Sequence, residues 1–328
     1  MPAAPTPSST PPILGIHHIT AIAGDAQANL DFYVGVLGLR LVKQTVNFDD
    51  PGTFHFYFAD TPASPGAVLT FFPWKHIRPG RSGTGSAAAT AFAVAPGSID
   101  WWSERLRRLG VAHEPAEARF GDERVLRFAD QDGTQLELVG ASEHEAIPAD
   151  EGGTLPSEHA IRGFHSATLA LSGYESTARL LTRTMGFREG ASAQNRFRFI
   201  AAGSSGTAGR YIDLLCTPDA PGARMGAGSV HHVAFRTPSD EAQHAWREAL
   251  AEAGLNATPI MDRQYFHSIY FREPGGVIFE FATDGPGFTT DETVETLGSG
   301  LRLPPWLEPR REAIERGLPR VTPPSVQG

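Results

Sequence analysis

The chain has a single cysteine in 328 residues, Cys216. An intrachain disulfide is therefore excluded, as is a zinc or iron–sulfur site built on several thiolates. Positive charge is also scarce. There are 28 Lys and Arg against 37 Asp and Glu, for a net charge of −9 and a pI near 5.7. A nucleic-acid binder needs a basic face to displace counterions, so that class is disfavoured. No apolar run approaches the ~20 residues of a spanning helix, so no membrane partner is expected. The opening residues, MPAAPTPSSTPP, lack the cationic start and apolar stretch of an export signal and read as a flexible Pro/Ser/Thr tail. A cytoplasmic protein is the expectation. Charged residues, at 20%, are too few for an acidic disordered chain, and 41% hydrophobic residues suffice for an ordinary core. The surplus lies in glycine and proline, 35 and 26 residues, which implies many turns between short elements.

Those turns punctuate a repeat. Four segments open alike, with GIHHITAI (15–22), ATAFAVA (89–95), GFHSATLAL (163–171) and SVHHVAF (229–235). Each is followed by a helical pattern that closes at a glycine: Gly38, Gly110, Gly186 or Gly254. Runs with alternating or aromatic and β-branched character come next, such as FHFYFAD, TQLELVG, YIDLLCT and GVIFEFAT. Each module thus reads strand–helix–strand–strand–strand, and four modules nearly fill the chain. The fold class expected is α+β. The polar stretch 141–160 separates an N-terminal domain, 13–140 (modules one and two), from a C-terminal domain, 161–285 (modules three and four). A tail, 286–328, carries a short amphipathic helix in LPPWLEPRREAIERGLP, suited to capping the fold or contacting a second copy in a homodimer.

The main chemical signal is a doubled histidine used twice: His17–His18 and His231–His232, each pair in a module's opening strand. Glu280 lies between Phe279 and Phe281 in the last strand of module four. A buried carboxylate needs a partner, and a metal ion is one. Alternation along a strand puts His18 on a face with Ile16 and Thr20, and His232 with Val230 and Ala234. Two histidines and one carboxylate compose the facial triad of non-haem Fe(II) sites, although Zn(II) and Mn(II) accept similar ligands.

With these residues in place, the four βαβββ modules resemble the vicinal oxygen chelate superfamily, which includes glyoxalase I, extradiol catechol dioxygenases and bleomycin-resistance proteins. GIHHIT, SVHHVAF and DRQYFHSIYFREPGGVIFEFATDGPGF (262–288) resemble one branch more closely, the hydroquinone ring-cleaving dioxygenases. The resemblance implies two open barrel-like sheets. It selects His18, His232 and Glu280 as ligands of Fe(II), with Mn or Zn as alternatives in a purified sample. Ligands from modules one and four imply that these two share a bowl, leaving modules two and three to form the other. It further implies ring cleavage of a small dihydroxylated aromatic with O2, hydroquinones being favoured over catechols. Tyr270 and Arg263 are implied to line the pocket, as candidate catalytic groups.

Thr20 shares the face of His18 and should point into the bowl. His17 and His231 start on opposite faces and suit supporting roles around the ligands; His267 is a further candidate, of undetermined orientation. His55 and the surrounding phenylalanines could wall an apolar pocket. Module two keeps a carboxylate, Glu137, four residues after Gly133 as Glu280 follows Gly276, but its opening strand has no histidine, and GFHSATL carries Ser166 at the ligand position. No second metal is expected. Two other readings compete. One is a glyoxalase-like isomerase or thiol transferase, which commonly needs a second glutamate ligand. The other is a non-catalytic protein that binds aromatic ligands.

Overall fold

The computed structural model describes residues 10–202 and 207–322. The Pro/Ser/Thr opening up to residue 9 and the end of the tail, 323–328, lie outside the described residues. Module one comprises β1 (Ile16–Ala23), α1 (Ala26–Leu30), β2 (Arg40–Asn47), β3 (Asp50–Ala59) and β4 (Val68–Pro73). Module two has β5 (Ser86–Val94), α2 (Ile99–Arg108), β6 (Glu117–Ala118), β7 (Arg124–Ala129) and β8 (Gln135–Gly140). Module three follows with β9 (Phe164–Leu171), α3 (Glu175–Arg179), β10 (Arg188–Ala193), β11 (Arg196–Ile200) and β12 (Tyr211–Cys216). Module four holds β13 (Val230–Thr237), α4 (Asp240–Glu252), β14 (Met261–Asp262), β15 (Phe266–Arg272) and β16 (Ile278–Pro286). In modules one and three the helix continues as a π-helical turn, Asp31–Val36 and Leu180–Thr184. Side chains cap two helix starts: Asp25 accepts from the Ala28 N–H and Ser239 from the Ala242 N–H. The four helix-exit glycines all adopt positive φ, from +69° at Gly38 to +77° at Gly254, where a Cβ would be strained.

Two eight-stranded sheets result, ordered β14-β15-β16-β13-β1-β4-β3-β2 and β10-β11-β12-β9-β5-β8-β7-β6. The first unites modules one and four and the second modules two and three, as the ligand positions imply. Within each module the first and last strands pair in parallel. The two modules of a sheet meet antiparallel through their opening strands, β1 with β13 and β5 with β9. The doubled histidines are thereby brought side by side at the middle of the first sheet. The stretch 141–160 joins two modules of one sheet, and it is packed: Leu155 belongs to the main core, and His144 and Ala160 are buried.

That core runs without a break through both sheets and the helices laid on them. Trp246 of α4 is buried with its ring 5.2 Å from Phe281, and Trp102 of α2 is fully enclosed. Tyr33 donates to Asp130 at 2.9 Å and so ties module one to module two. The tail packs on module one. Its Arg302 N–H donates to the Gln44 carbonyl, and α5 (Arg311–Gly317) buries Ile314. Among the described residues no helix is long and apolar enough to cross a membrane.

Candidate metal centre

His18, His232 and Glu280 meet on three adjacent strands, because His18 pairs with Ala234 and Ala234 with Glu280. His18 Nε2 lies 3.3 Å from His232 Nε2 and 3.3 Å from Glu280 Oε2; His232 Nε2 lies 2.8 Å from the same oxygen. Three donors about 2.1 Å from one ion, at right angles to each other, would stand roughly 3.0 Å apart. The observed triangle is close to that size. All three side chains are almost fully buried, and Glu280 Oε2 has no hydrogen-bond partner, since its contacts with the imidazoles lack hydrogen-bond alignment. An orphaned carboxylate oxygen facing two ring nitrogens fits a cation that all three would share. Burial alone would raise the Glu280 pKa, but His18 and His232 outweigh it and hold the carboxyl well below its ordinary value.

Each of these groups is supported from behind. Ser268 donates to Glu280 Oε1 at 2.5 Å, leaving Oε2 for the centre. His17 Nδ1 is 2.8 Å from His18 Nδ1, and His231 Nδ1 is 2.7 Å from His232 Nδ1. Such contacts fix ring orientation and tautomer, which leaves each Nε2 facing inward. Burial, followed by the neighbouring His18, lowers the His17 pKa; burial, followed by His232, brings His231 down to about 3. Both are therefore neutral partners at ordinary pH.

The triangle opens onto a cavity of about 250 Å³. Thr20, Arg263, Tyr270 and His231 line it, together with Phe72, Trp74, Phe266 and Ile278. Arg263 Nε–H donates to Tyr270 Oη at 3.2 Å, and its Nη1 reaches Asp49 at 3.1 Å. Burial, then the charge of Glu280, raises the Tyr270 pKa, so the phenol keeps its proton. His267 is not in this cavity. Phe266 faces the pocket, and strand alternation sends His267 outward, where its Nδ1 is 2.6 Å from Asp240.

One polar chain here joins His55 and Thr20 to two residues not singled out from sequence, Tyr57 and Thr70. Tyr57 Oη is 2.8 Å from His55 Nδ1, His55 Nε2 is 2.9 Å from Thr70 Oγ1, and Thr70 Oγ1 is 2.7 Å from Thr20 Oγ1. Both ends of the chain, Tyr57 and Thr20, line the cavity. Alternation in β3 was the available signal, since it places His55 and Tyr57 on one face. The repeat also identifies Thr70: it pairs with Thr20, two residues after His18, as Glu280 pairs with Ala234, two residues after His232. Thr70 thus occupies the position of a second carboxylate ligand.

The second sheet inverts this pattern. Both carboxylate positions are filled, by Glu137 opposite Ala91 and Asp213 opposite Thr168, while Ala89 and Ser166 stand at the histidine positions. Guanidinium groups compensate the acids. Arg119 binds Glu137 with two nitrogens at 2.5 and 2.8 Å, and Arg196 and Arg198 hold Asp213. Glu143, His144 and His165 also cluster nearby, but Glu143 accepts from Tyr211, and His144 is committed to the Val94 carbonyl and His165. Burial and His165 pull His144 down to about 4, from 6.5. Glu123 is held at about 2, from 4.5, where His165 and Arg198 overcome the effect of burial. Both groups bind fewer protons folded than unfolded within those windows. Stability is therefore expected to decline by a few kcal/mol as pH drops from 6.5 to about 4 through His144, and further from 4.5 to about 2 through Glu123. Urea midpoints followed from neutral to acid pH will test this. His144→Gln should reduce the slope of the upper window without abolishing it, since His17, His55 and His231 are also buried with lowered pKa, and should leave the lower window unchanged.

Two curled sheets of paired βαβββ modules, with two imidazoles and a carboxylate converging in one of them, define the class of protein. The model of the Glyoxalase/Bleomycin resistance protein/Dioxygenase superfamily matches residues 15–138 and 163–281, and the chain belongs to that superfamily. It is 47% identical to MhqO of Bacillus subtilis over 305 residues, 93% of this chain and 96% of that protein, which is named provisionally as a ring-cleaving dioxygenase. It is 34% identical over 312 residues to the chlorohydroquinone/hydroquinone 1,2-dioxygenase of Sphingobium indicum, covering 93% of this chain and 95% of that one. A crystal structure of a provisionally named dioxygenase from Bacillus subtilis superposes with a TM-score of 0.90 at 44% identity, over 96% of this chain and 99% of the other. Glyoxalase I from Zea mays shares the fold, with a TM-score of 0.63 at 14% identity over 82% of this chain and 92% of its own.

Proposed function

We propose that the chain is a dioxygenase that opens a dihydroxylated aromatic ring with O2, with hydroquinones as favoured substrates and catechols as further candidates. The observation that carries this reading is the triangle of His18, His232 and Glu280 at the floor of an aromatic-walled pocket. The names of the relatives agree with it. These three residues would hold Fe(II), which when bound supplies Lewis acidity toward a phenol and the one-electron chemistry that O2 requires. An apolar cavity of about 150 Å³ holds benzene. At about 250 Å³, this one suits a single substituted ring.

The remaining chemistry belongs to side chains around the ring. Phe72, Trp74 and Phe266 exclude water and orient it. Tyr270 keeps its proton and accepts from Arg263, so its O–H is available to an oxygen atom in the pocket. The Arg263 cation offsets negative charge that develops there. The Tyr57–His55–Thr70–Thr20 chain carries protons between two points on the pocket wall, with His55 held neutral chiefly by burial. Glyoxalase-type chemistry with a second glutamate ligand is disfavoured by Thr70, a hydroxyl at that position.

Protein prepared without oxygen and loaded with Fe(II) is expected to consume O2 with hydroquinone and its methyl or chloro derivatives, and more slowly with catechols. An oxygen electrode will register this. No uptake with any of these compounds would refute the reading.

A further inference from the structure

A second cavity adjoins the metal pocket. It measures about 380 Å³, lies between the two sheets, and shares His231 and Ile278 with the aromatic pocket. Its character is different. Arg81, Arg224 and Arg272 line it, and their guanidinium groups donate to backbone carbonyls of Gly222, Pro79 and Gly276. Among the described residues none of the three pairs with a carboxylate. The single acid in the lining, Asp132, accepts from the Gly24 N–H and from Gln131. Three exposed arginines without a carboxylate partner, against one aspartate, give the chamber a net positive rim in a chain of net charge −9.

The reaction proposed above creates an anion beside this chamber. Cleavage of hydroquinone adds both atoms of O2, breaks the O–O bond and one ring C–C bond, and takes its electrons from the ring carbons. One freed carbon ends as a carboxylic acid and the other as an aldehyde, and the acid loses its proton to water. A neutral ring suits the aromatic pocket, whereas the carboxylate is poorly solvated there. Guanidinium groups are the usual partners of carboxylates. We propose that the chamber lined by Arg81, Arg224 and Arg272 binds the carboxylate of the ring-opened product and draws it past His231 out of the metal pocket. The identity of this anion rests on the ring-cleavage reading; the charge and position of the chamber do not.

The test uses cis,cis-muconate, a six-carbon unsaturated dicarboxylate, as the probe. Its binding is measured calorimetrically on iron-loaded protein without oxygen and with saturating hydroquinone, so that the metal pocket is filled. Wild type is expected to bind muconate with an affinity that falls as salt rises. The variant Arg81→Gln/Arg224→Gln/Arg272→Gln is expected to lose at least ~10-fold in muconate affinity. Its hydroquinone affinity, read by quenching of Trp74 fluorescence, should be unchanged. No muconate binding by wild type, or equal binding by the variant, would overturn the proposal. A variant with normal muconate binding but a raised KM for 2,5-dihydroxybenzoate would also overturn it, by assigning the chamber to an acid group on the substrate. Arginine-dependent muconate binding in a protein that consumes no O2 with any hydroquinone would uphold the carboxylate site and remove the ring-cleavage reading.

Discussion

Glu280→Gln is expected to abolish metal retention and ring cleavage while leaving the fold intact. The glutamine keeps the volume of the glutamate and can still accept from Ser268, so packing around β16 changes little. What disappears is the negative charge shared by His18 and His232. Two neutral imidazoles alone are a poor site, and affinity should fall by on the order of 100-fold or more. Stability should respond both with and without metal. In the metal-free protein His18 and His232 hold the buried Glu280 carboxyl well below its ordinary pKa, so loss of its charge should cost some stability near neutral pH. Added Fe(II) at about 100 times its Kd should raise wild-type stability by ~2.7 kcal/mol and leave the variant unmoved. Metal analysis after desalting and thermal melts with and without Fe(II) will show both effects. Glu137→Gln and His267→Ala serve as controls, since the first acid is neutralised by Arg119 and the second ring faces away from the pocket. Wild-type iron content in Glu280→Gln would remove this residue from the site.

Much of this centre is legible in the residues themselves. Doubled histidines in equivalent strands and a glutamate among phenylalanines are local signals, and the repeat lines them up. Pairing of modules one and four follows once His18 and His232 must meet. Other parts depend on contacts that strand periodicity does not encode. Alternation sends His17 and His231 to the opposite faces from His18 and His232, yet each pair touches through Nδ1, and β1 carries register shifts at both ends of this segment. The arginines that neutralise Glu137 and Asp213 lie 18 or fewer residues away in sequence, but their pairing depends on sheet geometry. The chamber beside the metal pocket is assembled from strands and turns of modules two and four and the connections that precede them, so no single stretch announces it. Lys43 is the clearest case: in LRLVKQTV it reads as the exposed residue of a half-buried strand, and its partners lie more than 240 residues further along.

Lys43→Met should be among the most destabilising single changes in the chain. Lys43 has no solvent exposure, and its Nζ donates to the Phe288 carbonyl at 3.1 Å, to Asp291 at 2.6 Å and to Glu292 at 2.5 Å. It also lies 4.7 Å from the Tyr265 ring centroid, and Tyr265 donates to Asp291 at 3.0 Å. Methionine fills most of the space but leaves a buried carboxylate, Glu292, without its main counter-charge. Removing one partner of a buried pair in this way costs about 3–5 kcal/mol. If uncompensated charge is the cause, Lys43→Met/Glu292→Gln should recover part of that loss in urea unfolding. If lost packing is the cause, the double variant will be no better than the single one. The effect should reach the pocket as well. Phe288 stacks on Tyr265 at 5.2 Å, and the next residue, Phe266, lies 4.9 Å from the His18 ring, centroid to centroid. Loosening the segment that carries Phe288 therefore frees the wall that orients the substrate ring. Lys43→Met is expected to raise KM for hydroquinone more than it lowers kcat at temperatures where the variant remains folded.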